Sequence, residues 1–380
     1  MDTSTLQPNL SQGLAVVGRA VAKKPITPVL AHILLEAQPG HIKLAATNLE
    51  QFITAHIDAK TTTDGRFTVP ARLVTDLVGA LPSESINLKL HKGKLQLACG
   101  RNTSDIHGID AEEFPLLPHV DGHFDYTINA DLLRQMIARV IIAAAKDQSR
   151  PILAGVLLRI EDDTLTMAAS DGFRLSVCKT KLAVPVEDAI AVIVPADALN
   201  ALAHIGKDEQ EPIGLYVPES KAKVLFRLEG TSAVHSIDLI TQVLDGNFPN
   251  YRQIIPTSYT TRTVLDRAQF LKACKTANIF ARNVAHNVRL VIDPDNNTLT
   301  IRAYSIESGE SEVELSAEIE GANLEINFSA RYLIDVLSVM DSAQVVVETT
   351  APTRPGVFKP AGSKDFVHVI MPMEPRKQHD

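Results

Sequence analysis

The chain has 380 residues, of which 45% are hydrophobic and 22% are charged, and its formal net charge is −8. These values are ordinary for a globular protein of two or three domains, and the acidic total argues against nucleic-acid binding unless basic residues gather on one inner surface. The three cysteines, Cys99, Cys178 and Cys274, are far apart, which argues against a disulfide framework or a Cys-x-x-Cys zinc site and favours a reducing compartment.

The first part of the chain predicts a helix followed by antiparallel strands. In NLSQGLAVVGRAVA the apolar residues Leu10, Leu14 and Val17 recur at helical spacing. In INLKLHKGKLQLACG apolar and polar residues alternate on both sides of Lys92 and Gly93. Alternation around such a turn predicts a β-hairpin.

The same kinds of element are predicted twice more along the chain. DLLRQMIARVIIAAA places Leu133, Ile137 and Val140 on one helical face, and AQFLKACKTAN does the same with Phe270 and Cys274. VLLRIEDDTLTMAA alternates about a central acidic turn and predicts another hairpin.

Two segments recur three times in the same order and at nearly constant spacing. The first is PVLAHILLEAQPGHIKLAATN, PILAGVLLRIEDDTLTMAASD and NVRLVIDPDNNTLTIRAYS. The second is FTVPARLVTDLVGALP, AVIVPADALNALAHIG and INFSARYLIDVLSVM. Such self-similarity predicts tandem structural repeats. We therefore expect an α+β chain of three similar domains, at 1–122, 123–255 and 256–380, with helices on one face of antiparallel sheets.

Three similar domains in a row could form an arc with exposed sheet edges at both ends. Such edges favour pairing with a second copy, and a two-fold head-to-tail pair would close the arc. The inner wall would then carry the basic helix residues Arg19, Lys23, Arg139, Lys272 and Lys275.

Sequence patterns for catalysis and cofactor binding are absent. The chain has no Gly-x-Gly-x-x-Gly, His-Glu-x-x-His or Gly-x-Ser-x-Gly segment, and its 12 histidines are scattered. Ser170 and Asp171 stand beside Arg174 without a base nearby in sequence, so we predict no catalytic residue, no metal site and no cofactor. We also expect no signal peptide and no membrane helix, and hence a cytoplasmic protein.

Five segments give the chain a likeness to a known family. They are RPILAGVLL (150–158), ASDGFRL (169–175), DGNFPNYRQIIP (245–256), PGVFKP (355–360) and VIMPM (369–373). In these segments and in its threefold repeat, the chain resembles the bacterial sliding clamp, the DNA polymerase III beta subunit.

The resemblance implies a head-to-tail homodimeric ring with helices lining the inner face and antiparallel sheets outside. Such a ring encircles duplex DNA without reading its sequence, and has no catalytic activity. Its partners would be the replicative DNA polymerase, a clamp-loader ATPase, and repair polymerases and ligase-type factors that dock through short peptides.

The resemblance and the basic helix faces together indicate three groups of site residues. The DNA-facing group is Arg19, Lys24, Arg72, Arg139, Lys146, Gln148 and Arg150. The walls of a hydrophobic peptide cleft would be Leu153, Ser170, Gly172, Phe173, Arg174, Leu175, Pro249, Gln253, Ile254, Pro355, Val369, Ile370, Met371, Pro372 and Met373. The dimer joint would include Ile106, Ile279 and Phe280.

Ordinary structural roles compete with each of these assignments. The charged residues could be solvated helix ends, VIMPM could be a final core strand, and the dimer candidates could be buried within one subunit. Two departures from the family pattern bear on the cleft, since Glu374 follows Met373 where arginine is usual and Phe173 stands where histidine is common. Two other functions stay open: a specialised clamp paralogue for a repair or mobile-element polymerase, and a triple-repeat ligand-binding or hydrolytic protein without a ring.

Overall fold

The computed structural model describes residues 1–118, 124, 126–147, 149–182, 185 and 189–374. The predicted boundary at 122–123 lies outside these residues. Within these described residues, two α-helices fall in each predicted repeat. They are α1 (Gln7–Val17), α2 (Ala71–Gly79), α3 (Ala130–Ile141), α4 (Ala196–Ile205), α5 (Arg267–Ala281) and α6 (Ala330–Ser338).

Antiparallel strands make up most of the remaining regular structure. The first repeat contains β1 (Asp2–Leu6), β2 (His32–Gln38), β3 (His41–Thr47), β4 (Gln51–Asp58), β5 (Lys60–Thr63), β6 (Gly65–Pro70), β7 (Ser85–His91), β8 (Lys94–Cys99) and β9 (Asn102–His107). The second contains β10 (Tyr126–Ile128), β11 (Gly155–Glu161), β12 (Thr164–Ser170), β13 (Arg174–Lys181), β14 (Ile190–Pro195), β15 (Ile213–Tyr216), β16 (Lys223–Gly230) and β17 (His235–Gln242). The third contains β18 (Thr261–Asp266), β19 (Asn287–Asp293), β20 (Thr298–Ser305), β21 (Gly309–Ser316), β22 (Glu318–Gly321), β23 (Leu324–Ser329), β24 (Gln344–Thr349), β25 (Gly356–Pro360) and β26 (Phe366–Ile370).

The threefold repeat predicted from the sequence is confirmed. The first recurring segment forms the hairpins β2–β3, β11–β12 and β19–β20. The second recurring segment forms a strand that leads directly into a helix, as β6–α2, β14–α4 and β23–α6. The chain is therefore an α+β protein built from three tandem copies of one pattern.

The predicted helical faces are the buried faces. Leu14 in α1, Ile137 in α3 and Phe270 in α5 are fully inaccessible to solvent. Burial of one such side chain contributes about 1.5–3 kcal/mol, which exceeds any difference in helix propensity between neighbouring residues. Packing of an apolar stripe, rather than propensity, thus holds each helix in place.

The predicted hairpin turn at Lys92 and Gly93 is also confirmed. Both residues have positive φ angles, of 49° and 75°, between β7 and β8. A two-residue turn of this kind matches the twist of the flanking strands, and glycine tolerates it without steric strain.

The strands assemble into two compact units whose limits differ from those of the repeats. The first unit is Met1–Gln135 with Asp197–Val243, and the second is Met136–Ala196 with Leu244–Asp380. The first unit holds a five-stranded sheet, β5-β1-β7-β8-β9, and an eight-stranded sheet, β10-β15-β16-β17-β4-β3-β2-β6. The second holds a nine-stranded sheet, β14-β11-β12-β13-β26-β25-β24-β18-β22, and a four-stranded sheet, β21-β20-β19-β23.

The middle repeat is therefore divided between the two units. Its strand β17 pairs with β4 of the first repeat, and its strand β13 pairs with β26 of the third. Backbone hydrogen bonds thus cover strand edges that would otherwise be left open between successive repeats.

Candidate functional site

A tight turn before β13 positions the first part of the site. The carboxylate of Asp171 accepts hydrogen bonds from the backbone N–H groups of Phe173 and Arg174, at 2.9 and 3.0 Å. The hydroxyl of Ser170 donates to the carbonyl of Arg174 at 2.8 Å, and Gly172 takes a φ angle of 91°, which favours glycine. Phe173 stands at the tip, with 59% of its side chain surface exposed.

The C-terminal strand runs beside this turn. Leu175 of β13 pairs with Val369 of β26, and the N–H of Met371 donates to the carbonyl of Phe173 at 2.8 Å. Leu175 and Val369 are almost fully buried in one apolar cluster. The cluster, which forms the floor of the site, consists of Ala168, Leu175, Val177, Tyr251, Val357 and Val369.

The segment after β17 supplies a second wall. A 3-10 turn at Tyr251–Gln253 begins where the N–H of Tyr251 donates to the carbonyl of Pro249 at 2.7 Å. The Tyr251 ring lies edge-on to Phe248, with 6.4 Å between ring centroids, and is buried in the floor cluster. Ile254 follows with 38% of its surface exposed. Tyr251 was not among the predicted site residues, although a tyrosine in FPNYRQIIP is a plausible core anchor.

Three exposed apolar residues, Phe173, Ile254 and Met371, each lie within three residues along the chain of a floor residue, and Met371 is 39% exposed. The structure thus brings together three predicted segments, at 170–175, 249–254 and 369–371. An apolar floor rimmed by exposed apolar side chains can bind a peptide through a few buried anchors. The thioether of Met371 would let the rim adapt to different side chains.

Two predicted walls of the cleft are core residues. Ile370 is fully buried and lies on the opposite face of β26 from Val369, because side chains alternate along a strand. Ser170 is also buried, and its hydroxyl is used within the turn. Neither side chain is available to a ligand, so we revise both to supporting roles.

The remaining predicted walls lie at the ends of the site. Leu153 is half-buried within the 3-10 turn Pro151–Ala154. Gln253 is exposed. Pro355 is half-buried just before β25, and Pro372 and Met373 are half-buried after β26. The tail is held by β23, since the N–H of Met373 donates to the carbonyl of Asn327 at 2.8 Å. Glu374 is exposed.

Arg174 has a structural role and does not form an accessible wall of the cleft. Only 7% of its surface is exposed, and its Nε donates to Asp171 at 3.1 Å while Nη1 donates to Asp335 of α6 at 2.6 Å. The guanidinium also lies 4.2 Å from the ring centroid of Tyr332. Asp335 and Tyr332 were not predicted to take part, because nothing local in sequence pairs residues so far apart.

A buried histidine lies on the face of the sheet opposite the cleft floor. Nδ1 of His368 is 2.6 Å from the hydroxyl of Ser176, and Nε2 has no partner among the described residues. Burial, aided by the nearby charge of Arg174, lowers the pKa of His368 to about 3. The ring is therefore neutral at physiological pH.

The predicted DNA-facing residues of the second unit differ in accessibility. Lys146 is exposed, whereas Arg139 donates to Asp341 at 3.2 Å and lies over the ring of Phe366. Arg139 is therefore engaged inside its own unit, which weakens its assignment to DNA.

Arg150 lies near the turn before β13. A Cβ atom placed at Gly172 would lie only 3.0 Å from Nη1 of Arg150, so the guanidinium lies against this glycine. Arg150 therefore lies beside the turn that carries Phe173, and we associate it with the cleft rather than with a separate basic surface. Gln148 lies outside the described residues.

The predicted DNA-facing residues of the first unit are all accessible. Arg19, Lys24 and Arg72 are exposed, and Arg72 has only a loose 3.8 Å contact with Asp76 on the next turn of α2. An ion pair so exposed contributes about 0–1 kcal/mol at most, so Arg72 can exchange its partner readily.

The predicted dimer residues separate into buried and exposed ones. Ile106 of β9 is 2% exposed and packs inside its own sheet, so it offers no apolar surface to a partner. Ile279 of α5 is 57% exposed, and Phe280 beside it is half-buried. In the same unit, Tyr304 of β20 and Ile306 just after it are also exposed.

Metal-ligating side chains do not cluster in the described part of the chain. No group of three or more His, Cys, Asp or Glu residues there could hold a metal ion. In the same residues, no α-helix is both long enough and apolar enough to cross a bilayer.

Comparison with known proteins assigns the whole chain to one family. Models of the DNA polymerase III beta subunit match three consecutive parts: the N-terminal domain at 2–118, the central domain at 127–250 and the C-terminal domain at 252–374. The chain is 32% identical to the beta sliding clamp of Synechococcus elongatus over 97% of this chain and 98% of that protein. It is 27% identical to the beta sliding clamp of Bacillus subtilis over 96% and 97% of the two chains.

Solved structures agree with the sequence comparisons. The DNA polymerase sliding clamp of Bacillus subtilis superposes with a TM-score of 0.92 at 26% identity, covering 99% of this chain and all of the other. The DNA polymerase III subunit beta of Pseudomonas aeruginosa gives a TM-score of 0.89 at 28% identity, over 98% and 100% of the chains. The chain therefore belongs to the DNA polymerase III beta subunit family, the sliding clamps that act as non-catalytic processivity factors.

Proposed function

We propose that two copies of this chain close head to tail into a ring that encircles duplex DNA and tethers the replicative DNA polymerase to it. The cleft is the observation that carries the tethering role. Exposed Phe173, Ile254 and Met371 belong to the three segments that supply a packed apolar floor, and this combination suits a short extended peptide. We infer that repair polymerases and ligase-type factors compete for the same cleft, and that the protein acts in the cytoplasm.

Sequence-independent sliding accounts for the charge distribution. Phosphate contacts fix a protein on DNA without reading bases, and they weaken as salt rises. Lys24, Arg72 and Lys146 are exposed, and we assign such contacts to them, with exposed Arg19 as a further candidate. Closure around DNA would provide persistence, so the net charge of −8 need not prevent binding.

Open strand edges support closure by a second copy. In the described residues β9 ends the five-stranded sheet of the first unit, and β21 ends the four-stranded sheet of the second. We propose that β9 of one copy lies beside β21 of the other, with Ile279 and Phe280 of α5 covering the joint. We further propose that the three domains span 1–122, 123–255 and 256–380, and that a clamp-loader ATPase opens one joint.

Retention on circular DNA tests this function. The protein is loaded by a clamp-loader ATPase onto nicked circular and onto linear duplexes of equal length, and bound protein is separated by gel filtration. A ring stays on the circle and leaves the linear duplex through its ends. Equal retention on both duplexes, or on neither, would refute encirclement.

A further inference from the structure

A cavity adjoins the cleft floor, because Val177 and Tyr251 of the floor cluster also line it. It has a volume of about 270 Å³ and belongs entirely to the second unit. Its apolar lining is formed by Val177 of β13, Val367 of β26, Tyr251 and Ile255. Val177 and Val367 form the next pair on the same face of the sheet as Leu175 and Val369, two residues away along each antiparallel strand. The floor of the cleft therefore continues into the cavity through these shared residues.

The mouth of this cavity is basic. Lys179, Arg252 and Lys364 line it, together with a single carboxylate, that of Asp365. Among the described residues neither Lys179 nor Lys364 has a carboxylate within ion-pair distance, and Arg252 only approaches Glu161 at 3.9 Å. Exposed cations that outnumber the nearby carboxylates favour an anionic partner.

The size and lining of the cavity restrict the partner further. A volume of about 270 Å³ is just below the range of about 300–1,000 Å³ that is typical of small-molecule sites. It therefore suits one or two large side chains better than a whole cofactor. A DNA phosphate would gain nothing from the apolar floor, whereas a bulky apolar side chain would be buried against it.

We propose that this basic-rimmed cavity is a second docking site, which takes one bulky apolar side chain of a partner peptide while acidic residues on both sides of that side chain pair with Lys179, Arg252 and Lys364. The site stands whether or not the cleft binds the peptides proposed above. A partner that used both sites would be held at two points on one face of the sheet, and its effective affinity would rise.

Fluorescence polarisation of a labelled peptide tests the site. The probe is acetyl-DEEFEDD-amide, and its controls are NQQFQNN, which lacks charge, and DEESEDD, which lacks the aromatic ring. We expect saturable binding of the probe to the full chain, and binding weaker by about tenfold for either control peptide. Absence of saturable binding, or equal binding of NQQFQNN, would overturn the proposal.

Matched variants locate the bound probe. Lys179→Glu with Lys364→Glu should weaken probe binding about tenfold, while Lys60→Glu with Lys207→Glu, which makes the same charge change at exposed positions of the first unit, should change it less than about twofold. Thr257→Trp at the exposed mouth should block the cavity without altering its charge. All five positions are exposed, so circular dichroism should show an unchanged fold. Equal effects of the two charge reversals would overturn the proposal.

Two further outcomes separate the cavity from its neighbours. If Phe173→Ala with Met371→Ala abolishes probe binding and Lys179→Glu with Lys364→Glu does not, the peptide occupies the cleft, and the cavity is not a docking site. If the lysine reversals weaken duplex DNA binding and leave probe binding intact, these cations serve DNA and the proposal is wrong.

Discussion

Nη1 of Arg174 in the second repeat donates a hydrogen bond of 2.6 Å to Oδ2 of Asp335 in the third repeat. Arg174 also pairs with Asp171 in the turn that carries Phe173, so one guanidinium joins α6 to the rim of the cleft. The side chain of Arg174 is buried, whereas that of Asp335 is 40% exposed. The turn that carries Phe173 is therefore held in part by a contact between repeats.

Removal of this guanidinium should destabilise the second unit. Arg174→Ala leaves Asp171 and Asp335 without their shared cation, and we expect the unfolding free energy to fall by about 2–4 kcal/mol, somewhat below the loss for a fully buried pair because Asp335 reaches solvent. Urea unfolding followed by circular dichroism measures the change. Arg159→Ala, which breaks an exposed pair with Glu161, is the control and should cost less than about 1 kcal/mol. Equal losses for the two variants would show that Arg174 has no special role.

His368 should make the protein sensitive to acid. Its pKa is lowered to about 3 in the folded chain from a reference of 6.5, so the unfolded chain binds more protons between these values. The contribution of His368 to stability is thus complete above pH 6.5 and is lost as the pH falls toward 3, by up to about 1.4 kcal/mol per pH unit. His368→Asn retains a polar partner for Ser176 and does not titrate. The gap in unfolding free energy between wild type and this variant is measured by urea unfolding. This gap should become less favourable to wild type as the pH falls from 7.5 to 4.5. A gap that does not change with pH would contradict this account.

The exposed rim of the cleft should carry peptide binding. Phe173→Ala with Met371→Ala removes two accessible anchors, and we expect the affinity for a polymerase-derived peptide to fall about tenfold or more. Isothermal titration calorimetry measures the affinity. The unfolding free energy of the double variant should stay within about 0.5 kcal/mol of the wild-type value.

Leu175→Ala is the informative contrast to that double variant. Leu175 is almost fully buried, so its truncation should cost about 2–5 kcal/mol of stability through a core cavity. If the Phe173→Ala, Met371→Ala double variant still binds the peptide with wild-type affinity, the exposed rim is not the binding surface.

The exposed cations should govern the salt dependence of DNA binding. Lys24→Ala, Arg72→Ala and Lys146→Ala together should weaken binding to duplexes of any sequence. The slope of log K against log salt concentration should shrink by about one for each phosphate that the variant no longer neutralises. Titration of a labelled duplex at several salt concentrations gives the slope, and the Phe173→Ala, Met371→Ala variant should leave it unchanged. An unaltered slope in the triple variant would exclude these residues from the DNA interface.

The fold was largely predictable where local periodicity determines it. Leu14, Ile137 and Phe270 lie on the buried helical faces that their spacing predicted, and Lys92 and Gly93 form the expected turn. The pairing of β17 with β4 and of β13 with β26 was not predictable. Strand partners between repeats depend on edges that are distant in sequence, and no local pattern specifies which edges meet.

The candidate site was predictable only in part for the same reason. Family resemblance indicated the turn at 170–175 and the tail at 369–373, and the structure places the two side by side. The resemblance did not indicate that Arg174 would form an ion pair with Asp335, or that Ile370 would face the core. Burial of a side chain is decided by every element that packs against it, so a residue in a matching motif can serve the fold instead of the ligand.

Imaging of the purified protein by electron microscopy, with its mass measured by analytical ultracentrifugation, tests the central claim most directly. We predict particles of twice the 41.3 kDa of one chain, with two-fold symmetry and a central opening wide enough for a DNA duplex. A monomer at micromolar concentration, or a dimer with a filled centre, would contradict the account.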